Sequence, residues 1–294
     1  MWRGVTCGRR HRRVTSFHLT GRGLEGSLSP SVGNRSFLRS IILDDNQFYG
    51  TIPPEISHLS RLQKLSLCNN LFTGDIPANL SSCSKLWLVN LFSNKLSGKI
   101  PNIFSSLRMM KTLVLSKNNF AGGIPPSIGN LAYLEDLYLG DNQLGGNIPD
   151  SLNQLKKLRT VALERNRLIG EFPLFFYNLS MLEVLRIAIN QLHGNLPINL
   201  CLNQPHLRHV AIAINHFSGP LPPSISNCSE WKLFEDSYND FKGRIKTDFG
   251  KLQKLQILGL ASNDFESNPV ECKNLFDSLS NCSILESLEL TKPD

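Results

Sequence analysis

Hydrophobic and polar positions follow a single period along most of this chain. The pattern LxLxxNxLxGxIP recurs with its Asn at positions 46, 70, 94, 118, 142, 166, 190, 215, 239 and 263, a spacing of 24 residues and once 25. An earlier unit, Phe17-His18-Leu19 through Gly26, keeps the frame with Arg22 in the Asn slot, and a last one begins at Leu285. Within each unit a short stretch alternates. In Leu134-Glu135-Asp136-Leu137-Tyr138-Leu139, Leu137 and Leu139 alternate with polar or aromatic neighbours, as in a strand with one buried face. The pattern therefore predicts one short parallel strand and one return segment per unit, with the leucines pointing inward.

A period in the twenties with this leucine spacing is the signature of leucine-rich repeats. The predicted fold class is α/β, a right-handed leucine-rich-repeat solenoid with a parallel sheet on its concave face and about 12 turns of ~24 residues. Residues 1–13 read as a partial N-terminal cap and 14–294 as the solenoid, its last turn incomplete. The next anchor after Asn263 lies about thirty residues on, which predicts a loop or insertion over 267–280. Asn46, Asn70, Asn94, Asn118, Asn142, Asn166, Asn190, Asn215, Asn239 and Asn263 each follow a strand where the chain must turn. Their amides are expected to form a structural ladder that satisfies backbone groups no strand reaches. Gly74, Gly98, Gly122 and Gly146 suit the bend, and Pro53, Pro77, Pro101, Pro125 and Pro149 end pairing.

The segments Leu96-Ser97-Gly98-Lys99-Ile100-Pro101 and Ser127-Ile128-Gly129-Asn130-Leu131 resemble the plant-specific leucine-rich repeat of receptor-like kinase and receptor-like protein ectodomains. The likeness runs from about Val14 to Leu290, and Trp2-Arg3-Gly4-Val5-Thr6-Cys7 resembles the end of that family's N-terminal cap. The resemblance implies a signal peptide and a partner cysteine ahead of Met1, which leaves Cys7 without its mate. It also implies further repeats, a closing cap, a membrane helix and often a kinase beyond this region. The chain itself is expected to carry no targeting signal and no membrane insertion. Three positions depart from the pattern: Asp236 occupies an inward Leu slot, Lys246 replaces Pro and Ser267 replaces Gly. A buried carboxylate is costly, so either a loosened strand near Asp236 or a proton or partner on its carboxyl is expected.

Composition fits a chain that folds: 41% of residues are hydrophobic and 19% charged. No stretch approaches the roughly twenty apolar residues of a membrane-spanning helix. The net charge of +7 is partly local, because Arg3, Arg9, Arg10, Arg12 and Arg13 crowd the first thirteen residues. That is a basic end, and with no recognition helix or stacking aromatics after it, a solvated cap is expected and no nucleic-acid partner. Gly21-Arg22-Gly23-Leu24-Glu25-Gly26 matches GxGxxG literally, but Leu24 and Gly26 are repeat positions and Leu28-Ser29-Pro30 begins no phosphate-facing helix. The seven cysteines include no CxxC pair. Cys83 and Cys228 stand where other turns have Leu, so they and Cys282 read as core fillers, whereas Cys7, Cys68, Cys201 and Cys272 have no assigned role. His206, His209 and His216 share no ligand-like spacing with a carboxylate or cysteine, so no metal, cofactor or catalytic residue is predicted and the protein is not expected to be an enzyme. Sequons at Asn34, Asn79, Asn178, Asn227 and Asn281 would accept glycans on a secreted chain, four of them on the return side of the repeat.

Residues at one repeat position stack on adjacent strands, so columns of the alignment become rows on the protein. Seven residues before each Asn stand Lys111, Glu135, Arg159, Glu183 and Arg208, a ladder of alternating sign. Leu88, Asn90, Phe92, Val114 and Tyr138 project from the same face as an apolar patch, the kind of surface that marks binding. Asp136, Glu164, Arg186 and His209 follow as a polar stretch suited to peptide backbone or termini. Phe92, Tyr138 and Arg186 are the chosen contact residues. The leading reading is an extracellular or cell-surface module that binds a peptide or protein ligand, with a co-receptor where signalling follows. Two rivals stand beside it. One is a soluble inhibitor or defence protein resembling plant polygalacturonase inhibitors; the other is a truncated product without independent function.

Overall fold

The structure, a computed structural model, describes residues 3–202, 204–266 and 268–290. It divides into two compact units, Met1–Gly145 and Gly146–Asp294.

In the first unit, strand Val5–Cys7 pairs antiparallel with Val14–His18. Parallel strands Ser40–Ile42, Lys64–Ser66, Leu88–Asn90, Thr112–Val114 and Asp136–Tyr138 then add one per repeat. Register follows the period directly: Leu113 lies opposite Val89 on one side and Leu137 on the other, and all three are fully buried. Their neighbours in sequence face outward. A second parallel sheet on the flank joins Glu25–Ser27, Gln47–Thr51, Leu71–Gly74 and Lys95–Leu96. The return path is made of five-residue 3-10 turns such as Pro54–His58 and Pro126–Asn130. Proline pre-sets φ at their first position, Ile56 and Ile128 turn into the core, and the amides of Leu59 and Leu131 close the turns onto the carbonyls of those isoleucines. The returns are thus 3-10 segments where an α/β assignment implies α-helices. Five residues between two proline- and leucine-fixed points leave no room for a longer helix.

The second unit repeats the plan with Thr160–Ala162, Val184–Arg186, His209–Ala211, Leu233–Glu235, Ile257–Gly259 and Ser287–Glu289. Its core is more aromatic. Phe172 meets Phe176 and Phe217, and Phe217 stacks on Phe241, which stacks on Phe265.

The repeat asparagines close each turn. The Asn118 side chain donates to the carbonyls of Leu91 (2.9 Å), Leu115 (3.1 Å) and Ser116 (3.3 Å), while its oxygen accepts from the amide of Leu96 (3.0 Å). One residue ahead, the backbone enters the left-handed region whatever the side chain, from Asp45 (φ 57°) to Ser262 (φ 55°). Gly98 (φ 75°) serves a second bend, where an added Cβ would strike the Asp75 carboxylate.

Four sequence expectations meet a different outcome or a sharper one. Over 267–280, where a loop or insertion was expected, residues Pro269–Leu279 form an α-helix; Ser267 lies outside the described residues. Proline suits the first helical turn, and Leu275 and Leu279, four apart, turn the same side inward. At Asp236 the strand is not loosened. Phe234 pairs in register with Val210 and Leu258, and the Asp236 amide donates to Gly259 at 2.9 Å. The carboxyl is fully buried, accepts from the Asn263 amide at 3.2 Å through Oδ1, and has no hydrogen-bond partner at Oδ2. Burial pushes its pKa well above 3.8, so a proton resolves the conflict. Where Lys246 replaces Pro, the 3-10 turn shrinks to Phe249–Lys251, capped by the Asp248 side chain. Finally, Cys228 is not a free core filler: it is bonded to Cys201. Cys83 and Cys282 are buried free thiols, which donate to the carbonyls of Ile56 and Phe249, and burial raises Cys83 to about 11.

Candidate functional site

On the first unit, the outward residues of the long sheet form a half-buried apolar strip. Val114 sits beside Asn90 on one neighbouring strand and Tyr138 on the other, with Leu88 opposite Thr112. The Thr112 hydroxyl donates to Asp136 at 3.2 Å. Phe92 lies past the end of its strand with the Lys117 ammonium 5.3 Å from its ring centre. Trp87 belongs to the same surface and was missed: the Lys64 ammonium stands 4.8 Å from its ring. It occupies the charge-ladder column, the signal that finds it. In that column Lys111 pairs with Glu135 at 3.1 Å. On the second unit Arg159 pairs with Glu183 at 2.9 Å, and Arg208 reaches the same carboxylate at 3.7 Å.

The second unit carries a true depression on this face, a cavity of about 430 Å³. Its floor is small because the outward positions of consecutive strands are alanines: Ala188, Ala211 and Ala213. Arg186 pairs with Ala211 across one strand gap and Ala211 with Glu235 across the next. Arg186 and Glu235 therefore stand two strand spacings, about 10 Å of backbone, apart with Ala211 between them. Glu164, His209 and Leu233 complete the wall. Burial, then the charges of Arg186, Lys232 and Arg208, hold the His209 imidazole below its usual pKa. Burial and the nearby Glu289 raise Glu235. Ile189 and Ile214 form one rim, both in the left-handed region (φ 57° and 55°) that β-branched residues avoid. Strain of this kind gathers at functional sites. Sequence reasoning reached Glu164, Arg186 and His209 but not Glu235, the isoleucine rim or the floor; three alanines in outward columns are the signal that was available.

Other candidates are dispersed. Gly21, Gly23 and Gly26 have positive φ and lead into strand Glu25–Ser27, not into a helix. Among the described residues, no three His, Cys, Asp or Glu side chains converge on a metal position, and no helix is long and apolar enough to cross a membrane. Asn34, Asn79, Asn178, Asn227 and Asn281 are all exposed. Asn34, Asn178 and Asn227 are the last residues of 3-10 turns.

Comparison with known proteins supports the repeat and the architecture. The Leucine Rich Repeat family pattern matches residues 37–59, 61–83, 85–107, 109–131 and 133–155. The LRR receptor-like serine/threonine-protein kinase EFR of Arabidopsis thaliana is 60% identical over 47 residues, 16% of this chain and 5% of the kinase. The structure of PEPR1-AtPEP1 superposes with a TM-score of 0.89 at 32% identity, over 99% of this chain and 40% of that one. The Arabidopsis receptor kinase HAESA, in complex with the peptide hormone IDA and the co-receptor SERK1, gives a TM-score of 0.78 at 26% identity, over 99% and 60%. The chain thus aligns with only a small share of its curated relatives' length and with about half of these solved ectodomains.

Proposed function

We propose that this chain, a leucine-rich-repeat protein built like the ectodomains of plant receptor kinases, is a non-catalytic recognition module that binds an extended peptide or protein segment at the cell surface. The observation that carries the reading is the alanine-floored depression on the second unit. An extended ligand can place an anionic group at Arg186, a short apolar side chain over Ala188 and Ala211, and a hydrogen-bond donor at Glu235. A preformed sheet presents these groups with little ordering on binding. The related ectodomain of HAESA is solved with a peptide hormone and a co-receptor, which supports the ligand class. The Cys201–Cys228 disulfide supports an oxidising compartment, and five exposed sequons support passage through the secretory route. Leu88, Phe92, Val114, Tyr138 and Asp136 are proposed as contacts on the first unit.

Expression in plant cells tests the reading. The protein should reach the apoplast carrying enzyme-removable N-glycans and with Cys201 and Cys228 oxidised. A cytosolic, unglycosylated, reduced product would sink the extracellular reading. The Ala211→Trp variant, whose indole fills the depression, should then lose a peptide ligand that the parent binds.

A further inference from the structure

The charge of this molecule is unevenly placed. The first 64 residues hold ten Lys and Arg against four Asp and Glu, so six of the seven net positive charges lie there. The strands Val5–Cys7 and Val14–His18 form a hairpin whose connection, Gly8 to Arg13, reads Gly-Arg-Arg-His-Arg-Arg. The turn is closed: the Gly8 amide donates to the Arg13 carbonyl and the Arg12 amide to the Gly8 carbonyl, both at 2.9 Å. Four arginines are thereby presented on a braced tip, all of them exposed.

The arrangement continues along the repeat. Phe37 lies one period after Arg13 and one before Arg61. The guanidinium of Arg13 sits 4.6 Å and that of Arg61 4.4 Å from the Phe37 ring centre, and the His11 ring packs against Phe37 at 5.6 Å. A planar guanidinium stacked on an aromatic ring keeps its N–H fork free at the edge. Two of the four carboxylates of this region are turned to neutral partners elsewhere on the repeat. Asp44 accepts from the Ser66 hydroxyl and the Cys68 amide, and Asp45 from the Asn69 amide. Among the described residues none of Arg9, Arg10, Arg12, Arg13, Arg35, Arg39 and Arg61 forms an ion pair.

We propose that this hairpin and the adjoining Arg13-Phe37-Arg61 stack form a binding surface for a linear acidic polysaccharide, a chain of uronate sugars. The surface belongs to the first unit and is independent of the depression on the second. The match is one of charge and valence. Exposed guanidinium forks crowded on the hairpin tip and braced on Phe37 meet the successive carboxylates of the polymer, and Arg pairs with a carboxylate in bidentate fashion. Nucleic acid fits less well, because Phe37, the aromatic ring at the centre of the row, has guanidiniums over it where a base would stack.

Polygalacturonate binding by the full chain tests this, measured at about 50 and 200 mM salt. The parent should bind, more weakly at the higher salt, and fully methyl-esterified polymer should not bind. Replacing Arg9, Arg10, Arg12 and Arg13 by Ser should weaken binding at least about tenfold, and replacing all four by Lys should weaken it less, because charge is kept while the fork is lost. Retained Cys201–Cys228 oxidation and an unchanged circular dichroism spectrum check that the variants fold, and the Lys variant serves if the Ser variant does not. Binding by the Ser variant within about twofold of the parent overturns the proposal, as does esterified polymer bound equally well. Duplex DNA bound as tightly as polyuronate at the higher salt overturns it too, since the surface would then be reading charge alone.

Discussion

Asp236 supplies a stability measurement with a definite sign. Its carboxyl is fully buried in a leucine slot and is held protonated by burial, its pKa well above the ordinary 3.8. Below pH 3.8 the folded and unfolded chains both carry the proton, so this group makes stability independent of pH. Above it the unfolded chain loses the proton while the folded one keeps it, and stability falls as pH rises until the folded pKa is passed. In that window the slope approaches about 1.4 kcal/mol per pH unit. Asp236→Asn removes the titration while keeping the shape: its oxygen still accepts from the Asn263 amide at the place where Oδ1 does now. Urea unfolding of the two proteins at half-unit steps from pH 4 to 8 should give curves that lie closest near pH 4 and separate upward, the variant gaining on the parent by up to about 1.4 kcal/mol per pH unit until the folded pKa is passed. Hydrogen exchange at the amides of Asp236 and Tyr238, which donate to Gly259 and Ala261, locates the effect. Parallel curves over the whole range would refute the argument, because the carboxyl would then be ionised in both states.

Further outcomes follow from the same geometry. Asn142→Ala leaves the carbonyls of Leu115, Leu139 and Gly140 and the amide of Phe120 without their side-chain partner, and should lower unfolding free energy by about 1–3 kcal/mol in urea. Cys201→Ser opens the 27-residue link to Cys228 and should destabilise by about 3 kcal/mol under oxidising conditions while leaving the parent unmatched only there, the two converging in reductant. Ile214→Asn relieves a β-branched residue at φ 55° and should raise stability by about 1 kcal/mol; if the rim contacts ligand, the same variant binds more weakly, as read by titration calorimetry.

The fold was legible because its constraints repeat. Leu113 and Leu137 must face inward and Asn118 must meet three carbonyls and an amide, and the same demand recurs every 24 residues, so one misfit cannot hide the pattern. Cys228 shows the limit of that logic. Its column says leucine, and a cysteine there reads as a small hydrophobe; only the return segment of the preceding turn, which brings Cys201 to a Cα distance of 5.4 Å, gives it a partner. The helix Pro269–Leu279 was hidden for the opposite reason. It falls where the period is interrupted, so its Leu275 and Leu279 have no column to be read in.

The binding face resists sequence reading for a deeper reason. Outward positions obey no packing rule, so Trp87, Arg186 and Glu235 can differ from their column neighbours without any loss of fold, and the same freedom serves recognition and drift alike. What separates the two is an expense the fold does not require. Nothing in the turn calls for isoleucine before Asn190 or Asn215, where Asp45 and Asn69 adopt the same left-handed backbone at little strain. Two β-branched residues held there, side by side on consecutive repeats and bordering an alanine floor, oppose local stability. Their joint position at the depression that also gathers Arg186, His209 and Glu235 is the reason to centre recognition on the second unit's sheet, with the more apolar strip around Val114 and Tyr138 as a further contact.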